Sequence, residues 1–161
     1  MTHGIRLARE PDETPVFELL RFLYDENGML TMSDAKVMKM IQQGTRSQGG
    51  VIGVAEEEGA IVGCAALVIE QPWYTDEWIL CERGVVVHPE KRASHHAENL
   101  IKFCKEAAGL LKLPLVIGIL STVRTQGKER FYDRHMKRAG AFFVDGLERA
   151  HGPMAARSLE M

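Results

Sequence analysis

The sequence has few of the features that would place it in a specialised class of protein. It contains three cysteines in 161 residues and no CxxC pair, which argues against a disulfide framework or a zinc ribbon. Its net charge of -2 gives no basic field for nucleic acid. No apolar run approaches the ~20 residues of a membrane helix, and the N-terminus lacks a signal-peptide pattern. We therefore expect a cytoplasmic protein with reduced thiols and no nucleic-acid or membrane partner.

What remains is the composition of one ordinary globular domain. The chain is 45% hydrophobic and 26% charged, and its length suits one core. No repeat, low-complexity tract or linker divides it. We expect a single domain over residues 1–161, in which residues 147–161 carry no strong pattern and form either a short strand or a loose tail.

The spacing of apolar residues predicts helices and strands in the order β-α-α-β-β-β-α-β-α-β. Val16, Leu19 and Leu20 recur on one helical face, whereas the apolar run Val85–Val87 is typical of a strand buried on both faces. The strand, helix and strand that follow residue 77 indicate a parallel pair in a mixed sheet. The predicted strands are 5–7, 51–56, 60–69, 77–87, 115–120 and 142–144, and the predicted helices are about 14–26, 34–41, 94–111 and 127–139.

Three segments stand out as motifs. The hairpin Val54–Gly63 has a glycine before a hydrophobic residue and Val-Gly. The strand end Val85–Arg92 carries the pattern Val-x-Pro-x-x-Arg, and Phe131–Tyr132 lies in a predicted helix closed by Gly140. Over roughly residues 5–144, this combination resembles the GNAT superfamily of N-acetyltransferases. The resemblance implies a mixed, mostly antiparallel, twisted sheet with helices on both faces.

The resemblance also implies an activity. GNAT enzymes transfer acetyl from acetyl-CoA, or another short acyl group from its CoA thioester, to a primary amine by direct attack in a ternary complex. The acceptor would be a small-molecule amine or a protein or peptide amine. The aromatic last strand would support a homodimer. The alternative hypothesis is a non-catalytic GNAT-like module that binds acyl-CoA or a protein partner.

The passage from Val87 into the next helix is the predicted phosphate site. Free N–H groups and the helix dipole attract pyrophosphate there, and Ser94 is the predicted N-cap. The family's loop reads Gln/Arg-x-x-Gly-x-Gly/Ala, which Arg92 and Ala97 match, whereas His95 replaces a glycine. A Cβ at this position would narrow the approach to phosphate unless the residue is already helical. The cofactor-binding candidates are Val85, Val86, Val87, Arg92, Ala93, Ser94, His95, His96 and Ala97.

Glu82 and Tyr132 are the catalytic candidates. Strand alternation groups Glu82 with Gly84 and Val86 on one face, where partial burial would raise the pKa of Glu82 and suit a base. Otherwise Glu82 is a rim carboxylate paired with Arg83 or another cation, and Glu77 and Asp76 are weaker alternatives for the base. By resemblance, Tyr132 is the acid that protonates the departing thiolate. It lies one turn further from Gly140 than the family's tyrosine, so it is either this acid or a core residue.

Three further residues are substrate-binding candidates. By resemblance, Tyr24 and Trp73 lie near loops that border the acceptor site, although both are also typical core or interface aromatics. Ser121 follows a strand and lines the pantetheine channel, or simply caps the strand end. No metal site is expected, because the adjacent His95 and His96 point in different directions on a helix and no partners lie at ligand spacing.

Overall fold

The computed structural model describes residues 4–27, 29–121 and 123–147. They form a five-stranded sheet in the order β1-β2-β3-β4-β5, antiparallel except for the parallel pair β4 and β5. The predicted mixed, mostly antiparallel sheet is therefore confirmed. The strands are β1 (Ile5–Leu7), β2 (Gly50–Glu57), β3 (Ala60–Glu70), β4 (Ile79–Val87) and β5 (Leu115–Val116), and the helices are α1 (Glu13–Asn27), α2 (Asp34–Thr45), α3 (His96–Leu111) and α4 (Thr125–Asp133).

Helices cover both faces of this sheet, as predicted. α3 packs Phe103 and other apolar residues on one face, and α1 and α2 pack residues such as Leu20 and Ile41 on the other. Burial of each such side chain contributes roughly 1.5–3 kcal/mol. Two glycines permit the close approach of the layers. A Cβ on Gly53 would lie 2.5 Å from the Phe103 ring, and one on Gly84 would lie 2.6 Å from Leu20.

Local hydrogen bonds explain where the first elements begin and turn. Glu58 and Gly59 join β2 to β3 with φ angles of 52° and 80°, the left-handed pair that a tight two-residue hairpin favours. The buried carboxylate of Asp12 accepts a 2.7 Å hydrogen bond from the guanidinium of Arg6 just before α1. Ser33 caps α2 by accepting from a backbone N–H at 3.5 Å. The predicted hairpin is therefore confirmed.

The C-terminal predictions are less accurate. β5 ends at Val116 instead of residue 120, and α4 spans 125–133 instead of 127–139. Gly140 therefore does not close α4. The residues of α4 are half-buried or exposed, so packing gives the end of the helix little support. Beyond its end, Arg138 turns back and pairs with Asp133 at 2.8 Å.

The predicted strand 142–144 is wrong. In the described part of the chain these residues pair with no strand, and Phe142 and Phe143 are 73% and 94% exposed. Aromatic composition alone does not make a strand, since strand pairing needs a neighbouring edge. Most of the predicted tail, residues 148–161, lies outside the described residues. No described helix is long and apolar enough to span a membrane.

Candidate active site

A gap between β4 and β5 forms the centre of the candidate site. The two strands pair only as far as Cys81 and Val116, so the rest of β4 has no partner on that side in the described ladder. At the end of β4, the N–H of His88 donates to a β3 carbonyl at 2.7 Å. Because N–H directions alternate along an antiparallel strand, those of Val85 and Val87 point away from β3 and into the gap.

A cleft of about 280 Å³ lies over this gap. It is formed by the end of α1, the second half of β4, the segment after β5, and α4. It brings together several residues that the sequence singled out, including both catalytic candidates and the predicted phosphate arginine. The cleft is lined by Leu23, Glu26, Asn27, Glu82, Val85, Val86, Val87, Arg92, Ala97, Gly118, Ile119, Leu120, Ser121, Arg124, Gly127, Lys128, Phe131 and Tyr132.

A β-bulge in β4 sets the direction of Glu82. Leu67 of β3 pairs with Glu82, and the preceding β3 residue pairs with Gly84, which leaves Arg83 as the extra residue. Because opposed residues share a face, Glu82 lies with the buried Leu67 on the α3 face, whereas Gly84 faces α1. The predicted grouping of Glu82 with Gly84 and Val86 is wrong, since one extra residue reverses the alternation.

Glu82 carries the most perturbed carboxyl of the cleft. Burial raises the pKa of Glu82 to about 7. The nearby backbone N–H groups of Gly118 and Val85 and the charge of Arg83 oppose this rise without cancelling it. The guanidinium of Arg83 forms its ion pair with Glu70 instead. A carboxyl that titrates near neutral pH is suited to exchange protons with a substrate.

α4 brings Tyr132 into the same cleft. Burial raises the pKa of Tyr132, and the nearby Glu82 and Cys104 raise it further, so the phenol stays protonated at neutral pH. Its ring makes an edge contact with Phe131 at 5.3 Å between centroids. Because α4 ends at Asp133, Tyr132 lies in the last turn of the helix, and its spacing from Gly140 does not describe its place in α4.

The start of α3 differs by one residue from the prediction. His95, not Ser94, is the N-cap, and its side chain makes no capping hydrogen bond. The N–H of Ser94 donates to the carbonyl of Lys91 at 3.2 Å. Ser94 thus belongs to the preceding turn, and α3 begins at His96. The Ser94 hydroxyl accepts from the N–H of His96 at 3.3 Å.

The backbone at the start of α3 offers donors that a phosphate accepts. The first helical bond runs from Asn99 N to His95 O at 3.0 Å, so the helix provides no acceptor for the N–H groups of Ala97 and Glu98. His95 has φ -83° and ψ 4°, which any L-residue adopts. Its side chain is 91% exposed, so the replacement of glycine strains nothing here.

A second cavity of about 420 Å³ adjoins the cleft at this helix end. The two share Arg92, Ala97 and Phe131, so together they make a path from the start of α3 to Glu82. This second cavity is lined by Arg92, Ser94, His95, Ala97, Glu98, Phe131, Arg134 and His135.

Sequence reasoning missed the charged residues between these two ends. Glu26 of α1 forms a two-point ion pair with Arg92, with N–O distances of 2.7 and 3.2 Å. Lys128 donates to Ser121 Oγ and Asn27 Oδ1, each at 2.9 Å. Glu26 follows the cleft residue Leu23 by three positions, so helical spacing alone would have placed it on the same face.

The predicted substrate residues separate into two groups. Ser121 lines the cleft. Tyr24 is half-buried and donates to the Arg83 carbonyl from the α1 side of β4, and it lines neither cavity. Trp73 is 96% exposed and makes its ring contact with Tyr74, also outside both cavities. The structure therefore places Tyr24 and Trp73 outside both cavities, although burial and then the charge of Glu82 raise the pKa of Tyr24, so its phenol is not remote from that carboxyl.

Two loop candidates point elsewhere. His96 Nε2 lies 3.0 Å from a carboxylate oxygen of Glu57, whose other oxygen accepts from Lys91 at 2.6 Å. Glu57 thus ties both ends of the loop to β2. Ala93 is exposed and lines neither cavity. Among the described residues, no group of three or more His, Cys, Asp or Glu side chains is arranged to hold a metal ion.

Comparison with known proteins gives a consistent picture. The family model described as "Acetyltransferase (GNAT) domain" matches residues 48–135. A Trypanosoma brucei acetyltransferase is similar in structure, with a TM-score of 0.63, 23% identity, and coverage of 88% of this chain and 96% of that chain. A ribosomal-protein-alanine N-acetyltransferase from Brucella melitensis has a TM-score of 0.67, 17% identity and coverage of 88% and 96%. An aminoglycoside N-acetyltransferase in complex with CoA has a TM-score of 0.69 and 14% identity, with coverage of 91% of this chain and 95% of that chain. No curated protein sequence matches significantly.

Proposed function

We propose that this chain, which belongs to the GNAT acetyltransferase family, transfers a short acyl group such as acetyl from acyl-CoA to a primary amine. The transfer is by direct attack of the amine within a ternary complex. One observation carries the proposal. The carboxyl of Glu82 and the phenol of Tyr132 line one cleft, over a gap into which the N–H groups of β4 point. CoA in the related aminoglycoside N-acetyltransferase supports a CoA thioester as the donor.

The path between the two cavities suits such a donor, which supplies an activated acyl thioester. Arg92 and the N–H groups of Ala97 and Glu98 would hold its pyrophosphate, because all three are donors at a helix N-terminus. The edge of β4 from Val85 to Val87 would hold the pantetheine arm in the gap. This arrangement leads from the start of α3 towards Glu82.

The residues around Glu82 divide the chemistry among them. The Glu82 carboxylate takes a proton from the acceptor amine, and base catalysis of this kind gives about 10²–10⁴-fold. A backbone N–H at this edge of β4 donates to the acyl oxygen and stabilises its developing charge. The C–N bond forms, the C–S bond breaks, and Tyr132 gives its proton to the leaving thiolate. That last step contributes less, because a thiol pKa of about 8.5 already makes a fair leaving group.

The acceptor is a small-molecule amine or a protein or peptide amine under this proposal. The names of the related enzymes cover both classes, a ribosomal-protein alanine and an aminoglycoside. The cleft presents the carboxylates of Glu82 and Glu26 beside the cations Arg124 and Lys128, so it can pair with either sign of charge. Cytoplasmic location and a homodimer stay predictions from the sequence.

Release of free CoA tests the function directly. The protein is incubated with acetyl-CoA or longer acyl-CoA thioesters and a panel of amines and peptides, and thiol release is followed. Thermal unfolding with each thioester is measured in parallel, since a ligand at ~100 times its dissociation constant stabilises by about 2.7 kcal/mol. Stabilisation with amine-dependent release supports the proposal. Stabilisation without release for any amine favours the non-catalytic module. The absence of both stabilisation and release would contradict the enzyme and the acyl-CoA-binding module alike.

A further inference from the structure

The residue best placed to bind pyrophosphate is already bound within the protein. Arg92 forms a two-point ion pair with Glu26, with N–O distances of 2.7 and 3.2 Å. The guanidinium also packs over the Phe22 ring, 5.4 Å from its centroid. Glu26 and Phe22 both belong to α1, so α1 holds the arginine of a loop that lies 66 residues away.

The position of Glu26 in α1 is electrostatically unfavourable without this partner. It lies in the last turn of the helix beside Asp25, and that turn has no basic residue. Carboxylates near a helix C-terminus face the negative end of the dipole, which is unfavourable. The pKa of Glu26 is nevertheless lowered, first by its hydrogen bond to Arg92. The cation from the loop therefore offsets a charge that α1 does not itself accommodate.

Two other cations lie close enough to Glu26 to keep it neutralised if Arg92 leaves. Lys128 and Arg124 line the same cleft, and both charges lower the pKa of Glu26 further. Lys128 reaches the neighbouring Asn27 with its ammonium at 2.9 Å. An isolated, partly buried carboxylate would be destabilising. If Arg92 leaves, Glu26 still has these two cations nearby.

We propose that Glu26 is an affinity-setting residue: it holds Arg92 in an internal ion pair that the cofactor pyrophosphate must break to bind. This inference rests on the proposed function, because it takes an acyl-CoA phosphate as the competing anion. The guanidinium exchanges one carboxylate for phosphate oxygens, both of which it can bind in two-point fashion. Lys128 and Arg124 then take over the charge of Glu26.

The Glu26→Gln variant tests the proposal. Glutamine keeps the size of the side chain but removes the charge that competes for Arg92, so acetyl-CoA should bind roughly three- to tenfold tighter, as expected for a partly exposed ion pair. Glu18→Gln is the matched control, because Glu18 is an exposed carboxylate of the same helix and its loss changes the net charge equally. Calorimetric titration with acetyl-CoA measures both variants.

A second background separates competition from simple repulsion. If Glu26 acts through Arg92, the gain from Glu26→Gln disappears when Arg92→Gln is already present. A gain that persists there means that Glu26 merely repels the cofactor, and it overturns the proposal. Equal or weaker binding by Glu26→Gln, with wild-type protein that binds acetyl-CoA, also overturns it and leaves the proposed function intact. Absence of binding by the wild type overturns both.

Discussion

The two ends of the cleft control their charges in opposite ways. Near the gap in the sheet, burial raises the pKa of Glu82 to about 7. Burial also raises the pKa of Tyr132 above its usual value. Near the start of α3, the carboxylate of Glu26 has a lowered pKa because the Arg92 guanidinium hydrogen-bonds it. Desolvation favours groups that exchange protons, whereas ion pairing keeps groups charged. Under the proposed function, proton transfer belongs to the end near the gap and anion binding to the end near the start of α3.

The largest expected effect tests the buried end. Glu82→Gln should lower kcat about 10²–10³-fold, because an amide cannot accept the proton of the amine. Glu77→Gln, which changes an exposed carboxylate before β4, should leave kcat unchanged. Steady-state CoA release measures both. Equal rates for the Glu82 variant and the wild type would remove Glu82 from proton transfer.

The same carboxyl predicts the pH dependence of the wild type. The acid form of Glu82 is inactive as a base, so kcat/KM should rise with pH through about 7 and level off above it. The rise should be lost from the residual activity of Glu82→Gln. A wild-type profile that is flat from pH 6 to pH 8 would contradict the assignment.

A smaller effect tests the end near the start of α3. Arg92→Glu should weaken acetyl-CoA binding about 10–100-fold, because it replaces a charge-assisted donor with a repelling carboxylate. Arg46→Glu makes the same charge reversal at an exposed residue after α2 and controls for net charge. Calorimetric titration is the measurement, and unchanged affinity of the Arg92 variant would mean that the phosphates bind elsewhere.

Tyr132→Phe should have a more modest effect than either change. Since the thiolate is already a fair leaving group, loss of the phenol should lower kcat about tenfold and leave acetyl-CoA affinity unchanged. Tyr74→Phe, at a tyrosine that is 74% exposed, serves as the control. Equal loss of affinity and turnover would instead indicate that Tyr132 supports the packing of α4.

The smallest expected effect concerns stability. The folded-state pKa of Glu82 lies above its unfolded value, so folding binds a proton at this group and the contribution of Glu82 to wild-type stability falls as pH rises from about 4.5 to about 7. Glu82→Gln lacks this loss. Its stability relative to wild type should increase by about 1 kcal/mol between pH 5 and pH 8, after allowance for solvent in the cleft. Denaturant unfolding at the two pH values measures it, and a constant difference would contradict the raised pKa.

Several features were readable from sequence because they depend on neighbouring residues. Apolar spacing located the face of α1 that carries Leu20. The glycine between two β-rich runs marked the turn at Gly59, which has the left-handed φ that glycine favours. The pattern at 85–92 located the strand and loop that lead into α3. These signals act within a few residues, where backbone geometry and side-chain periodicity decide the outcome.

Tertiary structure alone decided how the site is assembled. The extra residue Arg83 turns Glu82 to the α3 face, because strand register depends on pairing with β3. The ion pair of Glu26 and Arg92 joins α1 to a loop 66 residues away, and no local pattern specifies such a contact. The sequence by itself determined the mixed sheet, the helices on its two faces and the loop that leads into α3. The direction of each reacting group depended on hydrogen bonds and charges brought together only by folding.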